Sequence, residues 1–411
     1  SSLVWGTPQM IRKVGSSSLI LDKPWVVAVS TSESLHVSYT TFTFTGYDHI
    51  QFQRSPNGVA WTPAITLSAG SDSGYVQGSR PVVGPNGEVY VIWSAIGPID
   101  VDFFRIRRSN NAGATFGSQV TIPSGGIPAS GFYANWGTGA PGLNRERGIT
   151  SPGIAVDRSG GPNRGRVYVT WNESINFYGD YQNSGPGDKS EPPAESGVNN
   201  TPATATPFTV NNEVRGAIGS VTDLDYFSFT ATQGQTGVFF LDSLSVSLDV
   251  SFRIMCSDGV TRLAFSNFGV SAGGLNVFTF PATGTYYLRT AGFDGTTGGY
   301  RIRTKFSVPG SERARDHRDV FVTSSANGTT GWTIPVRANH DPGRFDDWLP
   351  EVAVSGQGLP FVMWYDWRDS PPARCGGLSH VYLALSQNAG ATWSSLGAVT
   401  HVSSDWPTST S

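Results

Sequence analysis

The feature that most narrows what this chain can fold into is a turn written more than once. Residues Ser109 to Phe116 read SNNAGATF, and residues Ser386 to Trp393 read SQNAGATW. In this pattern the Ser and Asn side chains are suited to bond nearby backbone groups and hold a bend. The glycine admits a positive φ that other residues resist, and the closing aromatic is placed to plug a gap between packed units. Two looser copies exist. SPNGVAW at Ser55 is one residue short, and SANGTTGW at Ser325 keeps Ser325, Asn327 and Trp332 but has Thr329 and Gly331 at the Gly and Thr positions.

Each turn sits at the same place in a larger repeat. RPVVGPNGEVYVIW ends at Trp93, SPGIAVDRSGGPNRGRVYVTW at Trp171 and LPEVAVSGQGLPFVMW at Trp364, with KPWVVAVSTSESLHVSY a looser copy ending at Tyr39. A proline, a β-branched run, a Gly- or Ser-rich turn and an alternating segment closed by an aromatic predict two antiparallel strands joined by a hairpin. A third strand (HIQFQRS, FFRIRRS, DVFVTSS, VYLALS) leads into the turn, and a fourth follows it. Four strands per repeat and four repeats predict the blades of a β-propeller. Composition agrees: 50 Gly, 26 Pro and only 14% charged residues suit short strands and tight turns rather than helical bundles.

The turns resemble the Asp-box (BNR) repeats of sialidase-like propellers, with Asn at the usual Asp position, over roughly residues 1–180 and 310–411. That resemblance implies six blades, of which four are visible. It also implies an Arg cluster, a Tyr–Glu nucleophile pair and an acid/base Asp in an active sialidase. The family's Arg-Ile-Pro signature is absent: IRKV at Ile11 does not match, and FRIRRS from Phe104 to Ser109 falls on a third strand. No catalytic residue is therefore assigned. The opening VWGTPQMIRKVG reads as a fourth strand without its first three, so two open edges are expected. A longer polypeptide or a second chain would fill them, and pairing at those edges would give a homo-oligomer or polymer.

Spacing exposes an insertion. From Trp93 to Ser109 is 16 residues and from Trp364 to Ser386 is 22, but from Trp171 to Ser325 is 154. The third blade is thus interrupted between its second and third strands, giving propeller over 1–180, linker and insert over 181–309, and propeller again over 310–411. The linker, DYQNSGPGDKSEPPAESGVNN, has the composition of a flexible connector. Alternation in DYFSFTA, TYYLRT and YRIRTKF makes the insert an all-β unit with its own core. NNTPATAT, the segment around Asp225, LDVSFRI and PATGTYYLR resemble the bacterial pre-peptidase C-terminal (PPC) domain, a small jelly-roll-like sandwich. The resemblance implies a secreted or cell-surface bacterial protein. The fold class expected is therefore all-β: a sialidase-like propeller with an inserted sandwich.

Signals of chemistry are sparse. WYDWRDSPPARCGG sets Asp366, Arg368 and Asp369 after a strand-two aromatic, and Glu173 stands at a comparable place after Trp171. Paired carboxylates serve glycosidic cleavage and Trp stacks on sugars, although an Asp–Arg fork bracing a loop is the simpler use of such residues. Asp223 and Asp225 suggest a calcium site, but two carboxylates fall short of the six or more oxygens that calcium takes, and a carboxylate closing a turn is simpler. No other cofactor is indicated. The six His, at 36, 49, 317, 340, 380 and 401, lack zinc-site spacing. A net charge of −3 gives no general attraction to nucleic acid, and no apolar run is long enough to span a bilayer. Arginine outnumbers lysine 24 to 4, a bias toward planar, hydrogen-bonded bracing. The two cysteines, Cys256 and Cys375, exclude a disulfide scaffold. They fall in different predicted domains, so a bridge between them is not expected.

These readings put first a non-enzymatic, secreted or surface protein that engages a glycan or an extracellular protein. The rivals are a sialidase-type glycoside hydrolase with an axial pocket completed beyond residue 411, and a structural subunit of an extracellular polymer.

Overall fold

The computed structural model describes residues 7–15, 19–29, 34–43, 48–72, 76–96, 101–123, 132–133, 151–174, 188–190, 199–232, 235–267, 274–280, 283–306, 318–340, 347–366, 368–369 and 377–406. Four antiparallel sheets form the blades. The first contains β1 (Leu19–Ala28), β2 (Leu35–Thr43), β3 (His49–Ser55) and β4 (Ile65–Thr66). The second contains β5 (Val76–Val83), β6 (Val89–Ile96), β7 (Val101–Ser109) and β8 (Val120–Thr121), with β9 (Phe132–Tyr133) pairing to β7. The third begins with β10 (Gly153–Val156) and β11 (Val167–Ser174).

The chain then leaves for the insert: β12 (Asp188–Ser190), β13 (Thr206–Pro207), β14 (Glu213–Ile218), β15 (Asp225–Ala231), β16 (Thr236–Ser243), β17 (Val250–Met255), β18 (Arg262–Asn267), β19 (Gly274–Thr279), β20 (Gly284–Gly292) and β21 (Gly298–Phe306). It returns to complete the third blade with β22 (Arg318–Ser325) and β23 (Val336–Arg337), β22 pairing directly with β11. The fourth blade is β24 (Asp347–Val354), β25 (Pro360–Asp366), β26 (Gly377–Leu385) and β27 (Ser394–Ala398), with β28 (Ser404–Trp406) pairing to β26. The insert is a sandwich of two sheets, ordered β12-β14-β21-β16-β19 and β13-β15-β20-β17-β18. Between them lies an aromatic core that includes Phe227, Phe229, Phe239, Phe252, Phe280 and Tyr300.

The blades stack through shared apolar layers. Ile50 and Phe52 of the first meet Val89, Val91 and Trp93 of the second. Ile92, Phe104 and Ile106 of the second meet Val167, Val169 and Trp171 of the third. Tyr168, Val320 and Val322 of the third meet Val362 and Trp364 of the fourth. The closing aromatic of each turn enters the layer shared with the preceding blade: Phe116 the first, Trp332 the second and Trp393 the third.

The turns are built from the side chains that the repeat predicts. Gly113 N–H donates to Ser109 Oγ at 2.9 Å, and Thr115 N–H to Asn111 Oδ1 at 2.9 Å. The Ser386 turn repeats this, with Gly390 N–H to Ser386 Oγ and Thr392 N–H to Asn388 Oδ1, both at 2.8 Å. The Ser325 turn departs from the expected alignment. Gly328, not Thr329, donates to Ser325 Oγ at 3.0 Å, and Thr330, not Gly331, donates to Asn327 Oδ1 at 2.9 Å. Gly328 follows Asn327 directly, which moves both roles one place forward, and Gly331 restores the length before Trp332.

In the second, third and fourth blades the turn glycine also sits against an aromatic of the blade before it. A Cβ on Gly113 would lie 2.7 Å from the Phe52 ring, one on Gly328 2.4 Å from Tyr90, and one on Gly390 3.4 Å from Tyr168. Arginine adds a recurring brace at these junctions. Arg54 donates to Ala112 O at 3.3 Å, and Arg108 to Asn327 O at 3.4 Å, each reaching from one blade into the turn of the next.

Two expectations need correction. Residues 7–15 of the opening stretch form no strand; Arg12 instead donates to Tyr39 Oη at 3.0 Å and to Gln51 of the first blade. The second concerns the cysteines: Cys256 is disulfide-bonded, and among the described residues no cysteine is free. The chain's one other cysteine, Cys375, belongs to the segment between β25 and β26, outside the described residues. A bridge is therefore made where none was expected.

The glycine contacts give a direct test. Gly328 has φ +70° and a Cβ there would collide with Tyr90, whereas Gly87 has φ +86° and open space around it. Gly87→Ala should cost about 1–2 kcal/mol from backbone strain alone. Gly328→Ala should cost roughly 2–5 kcal/mol, because overpacking adds to the strain. Urea unfolding midpoints of the two variants check this difference.

Candidate functional site

The first strands of the four blades pack beside one another, β1 against β5, β5 against β10 and β10 against β24. Three of them carry the same irregularity. Register shifts between Asp22 and Trp25 in β1, between Gln77 and Arg80 in β5, and between Trp348 and Glu351 in β24. A residue inside each shift takes positive φ: Lys23 at 49°, Gly78 at 68° and Leu349 at 51°. A bulge of this kind bends the strand and re-aims the side chain that follows.

The three side chains that follow are Trp25, Arg80 and Glu351, and they meet. The Arg80 guanidinium lies 4.3 Å from the centre of the Trp25 ring and forms an ion pair with Glu351. The pair joins the second blade to the fourth past the first strand of the third. The third blade contributes no side chain here, since its equivalent residue is Gly153. A Cβ on Gly153 would lie 3.2 Å from Pro350 O and 3.4 Å from Glu351 Cα, so β24 passes close by. The Arg80 side chain is 13% exposed, the Glu351 side chain 36% and Trp25 46%. A shielded cation therefore underlies an accessible carboxylate and an accessible indole face. Sequence inspection missed this trio because three different residue types share no motif; the signal available was a proline beside each, Pro24 before Trp25, Pro81 after Arg80 and Pro350 before Glu351.

At the same end of the blades lies the acidic group that the sequence singles out. Asp347 on β24 is registered opposite Asp366 on β25, and Glu173 on β11 opposite Asp319 on β22. Asp366 is fully buried. It accepts Trp364 Nε1–H at 3.0 Å, the Arg368 backbone N–H at 2.8 Å and Arg368 Nε–H at 2.9 Å. Arg368 lies 4.2 Å over the Tyr382 ring, and Tyr382 Oη donates to Asp369 at 2.6 Å. Burial and that bond to Asp369 push the Tyr382 phenol well above its ordinary pKa.

The structure thus brings Asp366, Arg368 and Asp369 together around Tyr382. Asn339 donates to Asp319 at 2.8 Å and also to Asp347, linking the third blade to the fourth. The Glu173 side chain and the stretch from Ser370 to Gly376 lie outside the described residues.

The sandwich residues Asp223 and Asp225 are both buried. Asp223 accepts Gly219 N–H at 2.6 Å, and Asp225 accepts Tyr300 Oη–H from the facing sheet at 2.6 Å. Among the described residues no group of three or more His, Cys, Asp and Glu that could hold a metal ion is present. Burial, with a smaller contribution from the Asp223 charge, pushes the Asp225 carboxyl up to about 6.

No family model and no curated protein matches this chain. Solved structures do. The chain is similar to the GH93 α-L-arabinofuranosidase of Fusarium graminearum in complex with arabinobiose, at 8% identity and a TM-score of 0.44, covering 95% of this chain and 70% of that one. It is also similar to the α-L-arabinanase of Penicillium chrysogenum, at 9% identity and a TM-score of 0.40, covering 92% of this chain and 66% of that one. A quarter of the chain is similar to the pre-peptidase C-terminal domain of the Bacillus anthracis collagenase, at 14% identity and a TM-score of 0.21, covering 94% of that domain. At these identities the likeness concerns the fold. The chain spans about two thirds of the length of the two enzymes. By name both are carbohydrate-acting enzymes, which runs against the expectation of a non-enzymatic binding and assembly protein, and that expectation is set aside.

Asp225 provides the pH test. Its folded pKa of about 6 stands above the ordinary carboxyl value of 3.8, so the stability it contributes is fully present below about 3.8 and is lost as pH rises through 6. The shift corresponds to about 3 kcal/mol. Asp225→Asn should therefore be more stable than the parent at pH 8 and should lose the advantage at pH 4, as scanning calorimetry at the two pH values would record.

Proposed function

We propose that this chain is the carbohydrate-cleaving part of a glycan-processing enzyme, with its site at the mouth of the blade ring. One observation carries this reading: three innermost strands use matching bulges to bring Trp25, Arg80 and Glu351 into contact. An exposed indole is a platform for the apolar face of a sugar ring. Glu351, the accessible carboxylate, is the group assigned to proton transfer, as in glycosidases generally. Arg80 fixes its orientation. Arg368 and Asp366, whose bonds are already made within one loop, are assigned to bracing the rim.

The finer reading is of Asp-box-type blades, with Asn closing the turn in place of Asp. The insert is read as PPC-like, on the motifs around Asp225 and Pro281. A secreted or surface setting is supported by the bonded state of Cys256, since disulfides persist in oxidising compartments. The partner on this reading is an extracellular glycan.

The test is reducing-end release from a panel of plant and microbial polysaccharides by the full-length protein. Glu351→Gln should lower kcat roughly 100-fold or more, and Trp25→Ala should mainly raise KM. Turnover undiminished in Glu351→Gln would remove the assignment.

A further inference from the structure

The outer face of the β13-β15-β20-β17-β18 sheet carries a cluster that the axial site does not use. Register sets Tyr226, Arg289, Arg253 and Phe265 side by side across β15, β20, β17 and β18. The next row on the same face is Ser228, Tyr287, Met255 and Arg262. Arg253 and Arg262 lie 5.2 and 5.4 Å from the centre of the Phe265 ring.

Arg253 and Arg289 stand directly opposite each other, an unfavourable pairing of like charges. Among the described residues neither has a carboxylate partner, and the Nε of each is buried without a hydrogen bond. Burial lowers the basicity of Arg253, and the charges of Arg289 and Arg262 lower it further. The other sheet handles its arginines differently: Arg215 and Arg301 both reach the buried carboxylate of Glu213. On one sheet Arg215 and Arg301 share a buried carboxylate; on the other Arg253 and Arg289 face each other without one among the described residues.

We propose that this face is a binding site for an anionic saccharide, whose carboxylate or sulfate is held between Arg253 and Arg289 while its ring rests on Tyr287 and Phe265. A guanidinium presents a fork of donors that matches such oxyanions. Adjacent strands are about 4.8 Å apart, so the two guanidiniums converge on one charged group. A nucleic acid would need a track of several phosphate contacts, and the chain's net charge of −3 opposes one. The anion site rests on the arginines alone; the choice of a saccharide rests on the carbohydrate reading above.

Affinity electrophoresis of the full-length protein in gels containing polygalacturonate, dextran sulfate, neutral dextran or a single-stranded DNA oligonucleotide tests it. Retardation by polygalacturonate alone assigns the site to carboxylates, and by dextran sulfate alone to sulfate esters; retardation by both assigns it to anions of either kind. The double variant Arg253→Gln, Arg289→Gln should weaken that binding roughly tenfold or more. Its melting temperature should not fall, because a like-charge contact is removed. Glu351→Gln should bind as the parent does, so failure of the axial assignment would leave this result standing. Equal retardation by neutral dextran, tighter binding of the DNA, no retardation by either anionic polymer, or undiminished binding by the folded double variant would overturn the proposal.

Discussion

The architecture depends on one recurring contact: a turn glycine lying flat against an aromatic ring of the preceding blade. Gly113 on Phe52 and Gly328 on Tyr90 allow the turn to close where a Cβ would collide with the ring, and Gly390 lies against Tyr168 in the same way with slightly more room. The left-handed backbone at these glycines is the same conformation that lets the Ser and Asn oxygens collect the turn's N–H groups. Local hydrogen bonding and blade-to-blade spacing are therefore set together. The buried tryptophans Trp93, Trp171 and Trp364 fill the layers that this spacing creates.

That coupling explains why the blades were legible in the sequence. A turn that requires Ser, Asn, Gly and an aromatic at fixed offsets leaves a pattern that survives divergence elsewhere. Even the Ser325 copy betrays itself, although the roles of Gly and Thr pass one place forward to Gly328 and Thr330. The inserted sandwich was legible for a different reason, since alternation in DYFSFTA and YRIRTKF records one buried and one outer face. The opening stretch misled because resemblance to a fourth strand says nothing about which partner is present. In the structure Arg12 finds Tyr39 and Gln51 instead of a strand edge.

The axial trio was not legible, and the reason is geometric. A bulge can be made by Lys23, Gly78 or Leu349, because what matters is a positive φ next to a strand that can spare one pairing. The side chains that follow are free to differ: here they are an indole, a guanidinium and a carboxylate, complementary rather than alike. A repeat search finds positions that are the same. A site at the centre of a ring is assembled from equivalent positions that have become different. The acids near Trp364 and Trp171 drew attention because they cluster in sequence, which is where a loop brace also clusters.

Two arginine–carboxylate pairs at the same end of the blades make the distinction physical. Arg368 and Asp366 are two residues apart, the carboxylate is fully buried, and the indole N–H of Trp364 and the backbone N–H of Arg368 add to the guanidinium in satisfying it. Such a unit holds a loop and presents little to a ligand. Arg80 and Glu351 are 271 residues apart, come from blades that are not neighbours, and leave the carboxylate a third exposed beside a half-exposed tryptophan. A pair that served stability alone would gain from deeper burial of both partners with full hydrogen bonding, because a partly exposed ion pair is worth about 0–1 kcal/mol. The bulges that bring these three side chains together spend backbone regularity in three separate strands for an interaction of that small size. What the arrangement yields is a surface on which a shielded guanidinium holds an exposed carboxylate beside an exposed indole.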